Sequence, residues 1–309
     1  MADSSKFDEK LPSPWREKEK LQGLDALPWF TCLAIGVCVY VFVGIAGLDG
    51  PLELQQVTKF GYRSGTDIWA GQRWGLLTSA FVHIQLWHFL FNVCWLWVLG
   101  RRLEQEIGAI RYLLLFVVAA GVSSSAQLAF SDDTGIGASG VVYAMFGFML
   151  RTRSQYSSFE EILTDKLIRW LLWWLPACVL LTYTGLLQIA NAAHFFGFFF
   201  GWFVGGSFAQ KVWYMRVGLA FVLVTSITSA FWAPWSVAWH STRAYELLVD
   251  DHIEEALVHL DYLIDREPSD AWAWKNRSIA KTRLGDHEGA RADYLRAREL
   301  DPSIEEDWK

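Results

Sequence analysis

The sequence predicts an all-α, polytopic membrane protein, and three observations carry that expectation. First, 53% of its 309 residues are hydrophobic, with 18 Trp and 21 Phe, above the roughly 45–50% apolar content of ordinary soluble domains. Second, the apolar residues gather into runs at 29–47, 83–100, 110–130, 139–151, 168–188, 191–210 and 213–233, most of them close to the ~20 residues a helix needs to cross a bilayer. Third, charge is segregated. Residues 240–309 hold 17 Asp and Glu against 10 Lys and Arg, whereas the remainder holds 16 against 17. An apolar body therefore carries a small acidic tail, and no basic stripe points to a nucleic-acid partner.

The run ends set an orientation. Arg101, Arg102 and Arg111 flank the second and third runs, Arg151, Arg153, Lys166 and Arg169 the fourth and fifth, and Lys211 and Arg216 the sixth and seventh. Positive residues mark the cytoplasmic face, so all these clusters share one side if the N-terminal segment, residues 1–28, is cytoplasmic. The first loop, 48–78, then lies outside. A seventh span within 211–235 places the tail, 240–309, outside as well. No short apolar run with a small-residue cleavage site precedes the first span, so no cleaved signal peptide is expected. Cys32, Cys38, Cys94 and Cys178 lie in apolar runs without paired spacing and read as small hydrophobes.

The tail repeats itself. Glu267-Pro268 returns as Asp301-Pro302, and Glu254-Glu255-Ala256-Leu257 precedes a second copy around Leu284-Gly285-Asp286 and Ala290. An offset of 34 residues with helix–turn–helix patterning resembles tetratricopeptide repeats. The tail is expected to bind a peptide or protein; a generic helical hairpin is the plainer reading.

Polar residues deep in apolar spans are expensive and are functional candidates. Three places hold them: His83 to Asn92, with His88 between; Gly137-Ala138-Ser139-Gly140, with Tyr143; and Asn191-Ala192-Ala193-His194, with Gly197. At a rise of ~1.5 Å per helical residue from the arginine ends, Ser139 lies about 18 Å, His88 about 20 Å and His194 about 25 Å into the bilayer. The run at 139–151 is too short to cross alone, so a glycine-containing loop must dip inward before Ser139. Irregular backbone at that depth needs a protein-lined or watery cavity. Ser139 then opens a helix, whose free N–H groups favour a developing oxyanion. His88 and Asn92, four apart, share a helix face. Gly197, Gly201 and Gly205 form a stripe that permits close helix approach, which would bring His194 to Ser139 as the base a serine nucleophile needs. Each feature alone has a bland reading as packing, and the histidines with Asn92 would also suit a metal or proton relay. With no Asp or Glu deep in these runs, no metal and no cofactor are expected.

At these residues the chain resembles the rhomboid family of intramembrane serine proteases, over roughly 29–210. The resemblance rests on His83-x4-His88-x3-Asn92, Gly137-Ala138-Ser139-Gly140 with Tyr143, and Ala193-His194-x2-Gly197-x3-Gly201, with Leu103-Glu104 and Gly108 in addition. It implies a six-helix core, extended here by a seventh transmembrane helix and the repeat tail. It also implies Ser139 as nucleophile and His194 as base, an oxyanion hole from His88, Asn92 and the Ser139 N–H, Tyr143 stacked on His194, and His83 at the cavity mouth. The expected substrates are transmembrane proteins in a bacterial plasma membrane. One departure stands out: the family's first-loop Trp-Arg pair is here Trp74-Gly75, with Arg73 before it. The alternative is a catalytically silent adaptor that binds membrane helices and recruits partners through its tail.

Overall fold

The computed structural model of the chain describes residues 27–48, 54–209 and 212–304. Lys211 and nearly all of the N-terminal segment expected at 1–28 lie outside the described residues. Among the described residues the architecture is helical, and the one β-bridge joins Ser64 to Asp133.

The first helix, α1 (Trp29–Ala46), is apolar on all sides and long enough to cross a membrane. Its N-terminal amides are capped from far along the chain. Glu104 accepts Phe30 N–H at 2.9 Å and Thr31 N–H at 2.8 Å, and the Thr31 hydroxyl donates to it at 2.7 Å. This buried carboxyl satisfies orphan donors of a helix start, where negative groups are favoured. It is spent on structure, at the end of its helix.

The first loop folds into three short helices, α2 (Leu54–Thr58), α3 (Gly65–Trp69) and α4 (Gly75–Thr78). Ser64 and Asp67 form a capping box that starts α3. The chain then turns sharply: Gly75–Phe81 and the helical run Leu86–Ile107 meet at 99°. The run expected at 83–100 is thus a corner followed by α5 (Leu86–Trp95), a π-turn at Leu96–Gly100 and α6 (Arg101–Ile107). Next come α7 (Ala109–Ser131), long and apolar enough to span, and α8 (Ser139–Thr152), α9 (Ser157–Ile162), α10 (Asp165–Tyr183), α11 (Asn191–Ala209) and α12 (Trp213–Ser229). By length and composition, α1, α7 and the bent pair qualify as crossings. α8 is short, as its sequence requires; α10 opens on Asp165 and Lys166, and α11 on Asn191 and His194.

The core of the bundle is α8 seated between α7 and α11, and glycine makes the closest contact. The Gly140 and Ala144 carbonyls of α8 occupy the space a Cβ would need on Gly197 and Gly201 of α11, and the Phe198 carbonyl does the same to Gly147. α12 packs on the far side of α11, with Phe203 against Gly218 and Met215 against Gly206. It reaches α7 at the opposite end, where the Ser229 hydroxyl donates to the Ser125 carbonyl at 2.9 Å.

The tail starts earlier than its repeat pattern indicates, at α13 (Val237–Val249), so residue 240 lies inside a helix. α14 (Ile253–Arg266), α15 (Ala271–Arg283) and α16 (His287–Leu300) follow through short turns with their own apolar core. Arg277 ties three of these helices together, donating to Asp261 at 2.7 Å and bidentately to Asp293 at 2.8 Å. Burial alone would raise the Asp293 carboxyl, but the hydrogen bonds from Arg277 and Lys281 outweigh it and hold it below its ordinary value.

α13 also docks on the first loop: Trp239 packs with Ile68, Trp69 and Leu76. Beside it, His240 Nε2 donates to the Pro234 carbonyl at 3.0 Å, leaving Nδ1 to accept from His259 Nδ1 at 2.8 Å. Tyr262 stacks on the His240 ring at 3.7 Å. Burial, then His240 and Arg243, push His259 down to about 4 against the opposing pull of Glu255. Burial and Arg266 also lower His240, against the Pro234 carbonyl. Because the folded value lies below the unfolded one, the pair stabilises fully above about pH 6.5. That stability is lost as pH falls from there through about 4. The tail's thermal midpoint in the full-length protein should fall over that window, and His259→Gln should flatten the slope; an unchanged midpoint in the wild type would contradict the pairing.

Candidate active site

Ser139 is presented by a glycine-containing loop and a helix start. Residues 132–138 lead into α8 with Gly135 and Gly137 at positive φ, 67° and 99°, a region open to glycine at little cost. A Cβ on Gly137 would also strike the His88 imidazole. The loop is tied down along its length. Asp133 accepts from the Tyr62 hydroxyl and from Gly135 N–H, both at 2.9 Å. The Thr134 hydroxyl lies 3.1 Å from Ser79 Oγ, and Gly137 N–H donates to the Ser79 carbonyl at 3.0 Å. Ser139 therefore begins α8 with its position fixed by the first loop.

His194 stands in the first turn of α11 and is 5% exposed. Its Nε2 lies 2.7 Å from Ser139 Oγ. Its Nδ1 has no hydrogen-bond partner among the described residues, so no carboxyl orients the ring. Tyr143 takes that place: its ring lies 4.9 Å from the imidazole centroid at 33°, and its hydroxyl donates to the Leu171 carbonyl of α10 at 3.2 Å. With its proton on Nδ1, the imidazole can accept the serine proton at Nε2, the arrangement of a general base and its nucleophile.

His88 lies against Gly137, on the approach to Ser139. Asn92, on the same face of α5, donates its amide to the His88 carbonyl at 2.9 Å and leaves its Oδ1 without a partner. That bond uses one of the amide's two N–H donors. His83 departs from the sequence expectation. It is fully buried rather than at a cavity mouth. Nδ1 donates to the Phe81 carbonyl at 3.1 Å, and Nε2 accepts from Ala138 N–H at 3.5 Å. The 99° corner turns the ring inward, where it braces the residue before Ser139.

Sequence reasoning missed Gln127 and Ser123. Gln127 Oε1 accepts Ala193 N–H at 3.3 Å while its amide donates to Ser131 Oγ at 2.8 Å, so α7 caps the turn that carries His194. The signal was present, since an amide in an apolar span is costly unless used. Ser123 fits into the notch between Gly140 and Gly197, but a serine in a small-residue stretch gives no such signal. Trp74-Gly75 also gains a reason. The Arg63 guanidinium lies over the Trp74 ring at 4.0 Å, and the Arg63 side chain fills the space a Cβ on Gly75 would need. The cation reaches Trp74 from across the loop, while Arg73 lies over Phe231 at 4.4 Å. Among the described residues no cluster of three His, Cys, Asp or Glu assembles.

Fold and site together define an α-helical integral membrane protein whose bundle holds a part-buried, hydrogen-bonded Ser–His pair. Residues 70–211 match the family model described as Rhomboid domain, a span that contains Ser139, His194, His83, His88, Asn92 and Tyr143. The chain is 30% identical over 191 residues to the Rhomboid protease GlpG of Yersinia pseudotuberculosis, covering 61% of this chain and 66% of that one. The same protein of Yersinia pestis gives the same figures. It is 32% identical over 123 residues to the Rhomboid protease GluP of Bacillus subtilis, covering 40% of this chain and 24% of that one. These likenesses support placing the chain in the rhomboid family, and the chain spans 66% of the length of the Yersinia relatives it matches.

Gly137→Ala tests the loop geometry. The strained φ and the collision with His88 should slow labelling of Ser139 by a fluorophosphonate by about a hundredfold or more, of the order of one oxyanion donor lost. Wild-type labelling kinetics in this variant would show that the loop bears no such constraint.

Proposed function

We propose that the chain is an intramembrane serine endopeptidase that cuts transmembrane substrate helices near their outer end. The observation that carries the reading is the 2.7 Å approach of His194 Nε2 to Ser139 Oγ inside an apolar bundle. The proteins it resembles are named rhomboid proteases, which favours the same class.

The mechanism follows from the geometry. His194 takes the Ser139 proton at Nε2 as Oγ attacks the scissile carbonyl. The Ser139 N–H, at the start of α8, and the side chains of His88 and Asn92 face the oxygen that becomes negative. The imidazolium then gives its proton to the leaving amine, and water hydrolyses the ester. Tyr143 holds the ring through these exchanges in place of an acidic partner. Beside Ser139 a cavity of about 10 Å³ is lined by Ser123, Ser124, Thr134 and small residues. It has room for about one water-sized group, which favours a small side chain before the cut bond. Substrate enters between α5 and α10, which meet through rings: Phe91 and Trp95 against Trp170, and Phe91 against Trp174.

In this reading the chain crosses the membrane seven times, with α8, α10, α11 and α12 completing the set. The arginine-bearing helix ends face the cytoplasm of a bacterial cell, and the pair lies toward the outer face. The tail α13–α16 is then extracytoplasmic. Its repeat pattern fits a peptide or protein ligand, which the packing of Trp239 on the first loop would hold near the site.

Ser139→Ala and His194→Ala, each as folded protein in detergent or liposomes, should reduce cleavage of a generic transmembrane substrate to background. Removal of 240–309 should alter the choice among substrates. Cleavage that survives both point changes would end the protease reading. Absence of cleavage and of Ser139 labelling in the wild type would favour the silent adaptor.

A further inference from the structure

Away from Ser139, a cleft of about 370 Å³ opens between α7, α8 and α11. Leu114 and Val118 of α7, Phe148 of α8, and Phe200 and Val204 of α11 form its walls. It lies at the arginine-bearing end of the bundle, where Arg111, Thr152, Gln155 and Tyr156 close it. Its origin is a splay of helices. α12 joins α7 at the far end through Ser229 and Ser125, but here it packs against α11 at Gly206 and Gly218. Among the described residues the α7–α11 seam stays uncovered, and Gly205 adds no side chain to fill it.

The outer edge of this seam is apolar and exposed, with Ile110, Leu114 and Val118 at 73%, 60% and 39%. In a bilayer such a surface faces hydrocarbon, so what enters the cleft is an acyl chain rather than water. The volume falls at the low end of small-ligand sites, ~300–1,000 Å³. The closed end is chemically different. Arg111 holds its guanidinium there, with one donor on the Ile107 carbonyl at 3.2 Å. Gln155 Oε1 is buried without a hydrogen-bond partner among the described residues. A cation above an apolar slot at a basic membrane face suits a phosphate headgroup with its chain below.

We propose that this cleft binds one anionic glycerophospholipid, its phosphate on Arg111 and one acyl chain against Val118, Phe148 and Val204. The Gln155 carbonyl oxygen accepts a hydroxyl from the headgroup. The site is independent of the serine chemistry, because no residue of it touches Ser139 or His194.

Native mass spectrometry of the full-length protein, released from micelles containing equal phosphatidylglycerol and phosphatidylcholine, tests this. The wild type should retain one phosphatidylglycerol, at least about tenfold in preference to phosphatidylcholine. Arg111→Gln should abolish that preference, and Val204→Trp, which fills the slot, should abolish retention of either lipid. Val118→Trp, on the exposed face of α7, fills the slot from the other wall and serves if Val204→Trp does not fold. Ser139 labelling should stay at the wild-type rate in all three. Equal retention of both lipids by the wild type, or undiminished retention by the slot-filling variants, would overturn the proposal. Displacement of phosphatidylglycerol by oleate alone would assign the slot to a free fatty acid and overturn the headgroup role.

Discussion

The structure depends on the contact between α8 and α11. Two helices meet at backbone distance because Gly140, Gly147, Gly197 and Gly201 carry no side chains, and each helix sets carbonyls where the other's Cβ atoms would stand. In a lipid environment helix association is driven by such van der Waals contact and by hydrogen bonds rather than by the hydrophobic effect. The contact also fixes the chemistry. Ser139 begins one helix and His194 stands in the first turn of the other, so the register that seats the glycines also sets the 2.7 Å separation of Oγ and Nε2.

Around that contact the remaining elements act as braces. α7 caps the start of α11 through Gln127, and the backbone before Ser139 is anchored by the first loop through Tyr62 and by the corner after it through Ser79 and His83. α10 positions Tyr143 through the Leu171 carbonyl, and Tyr143 positions His194. The tail reaches this network too. Ala238 N–H donates to Asp132 at 3.4 Å, next to the Asp133 that holds the loop. Trp69 Nε1 donates to the Ser229 carbonyl at 3.1 Å, and Trp235 Nε1 to the Ala129 carbonyl at 2.7 Å. The first loop is thus a shared part of the tail's docking surface and of the serine's support.

Much of this was legible in the sequence because lipid makes polar residues conspicuous. His194, His88 and Asn92 stood out by cost, Ser139 only in combination with them and through the family resemblance, and the glycine spacing on α11 indicated a close helix contact. What escaped depended on tertiary direction. Glu104 reads as a charge past the end of a span, and only the fold shows it under the first turn of α1. His83 lies at a 99° corner that no periodicity announces, so its inward aim was missed. The Trp74 partner could not be found by adjacency, since Arg63 arrives from across a loop. The tail's start was misjudged by three residues because its repeat pattern sets in after α13 has begun.

The central claim is that glycine contact between α8 and α11 creates the reactive pair. It is tested most directly by the rate at which a fluorophosphonate acylates Ser139 in Gly201→Val, with circular dichroism establishing that the helices persist. A valine there meets the Ala144 carbonyl, must push the helices apart and draws His194 from the serine. The account predicts that labelling falls by two orders of magnitude or more in a protein that remains helical, comparable to losing the base. Labelling at the wild-type rate would contradict it, because the pair would then owe its geometry to something other than that contact.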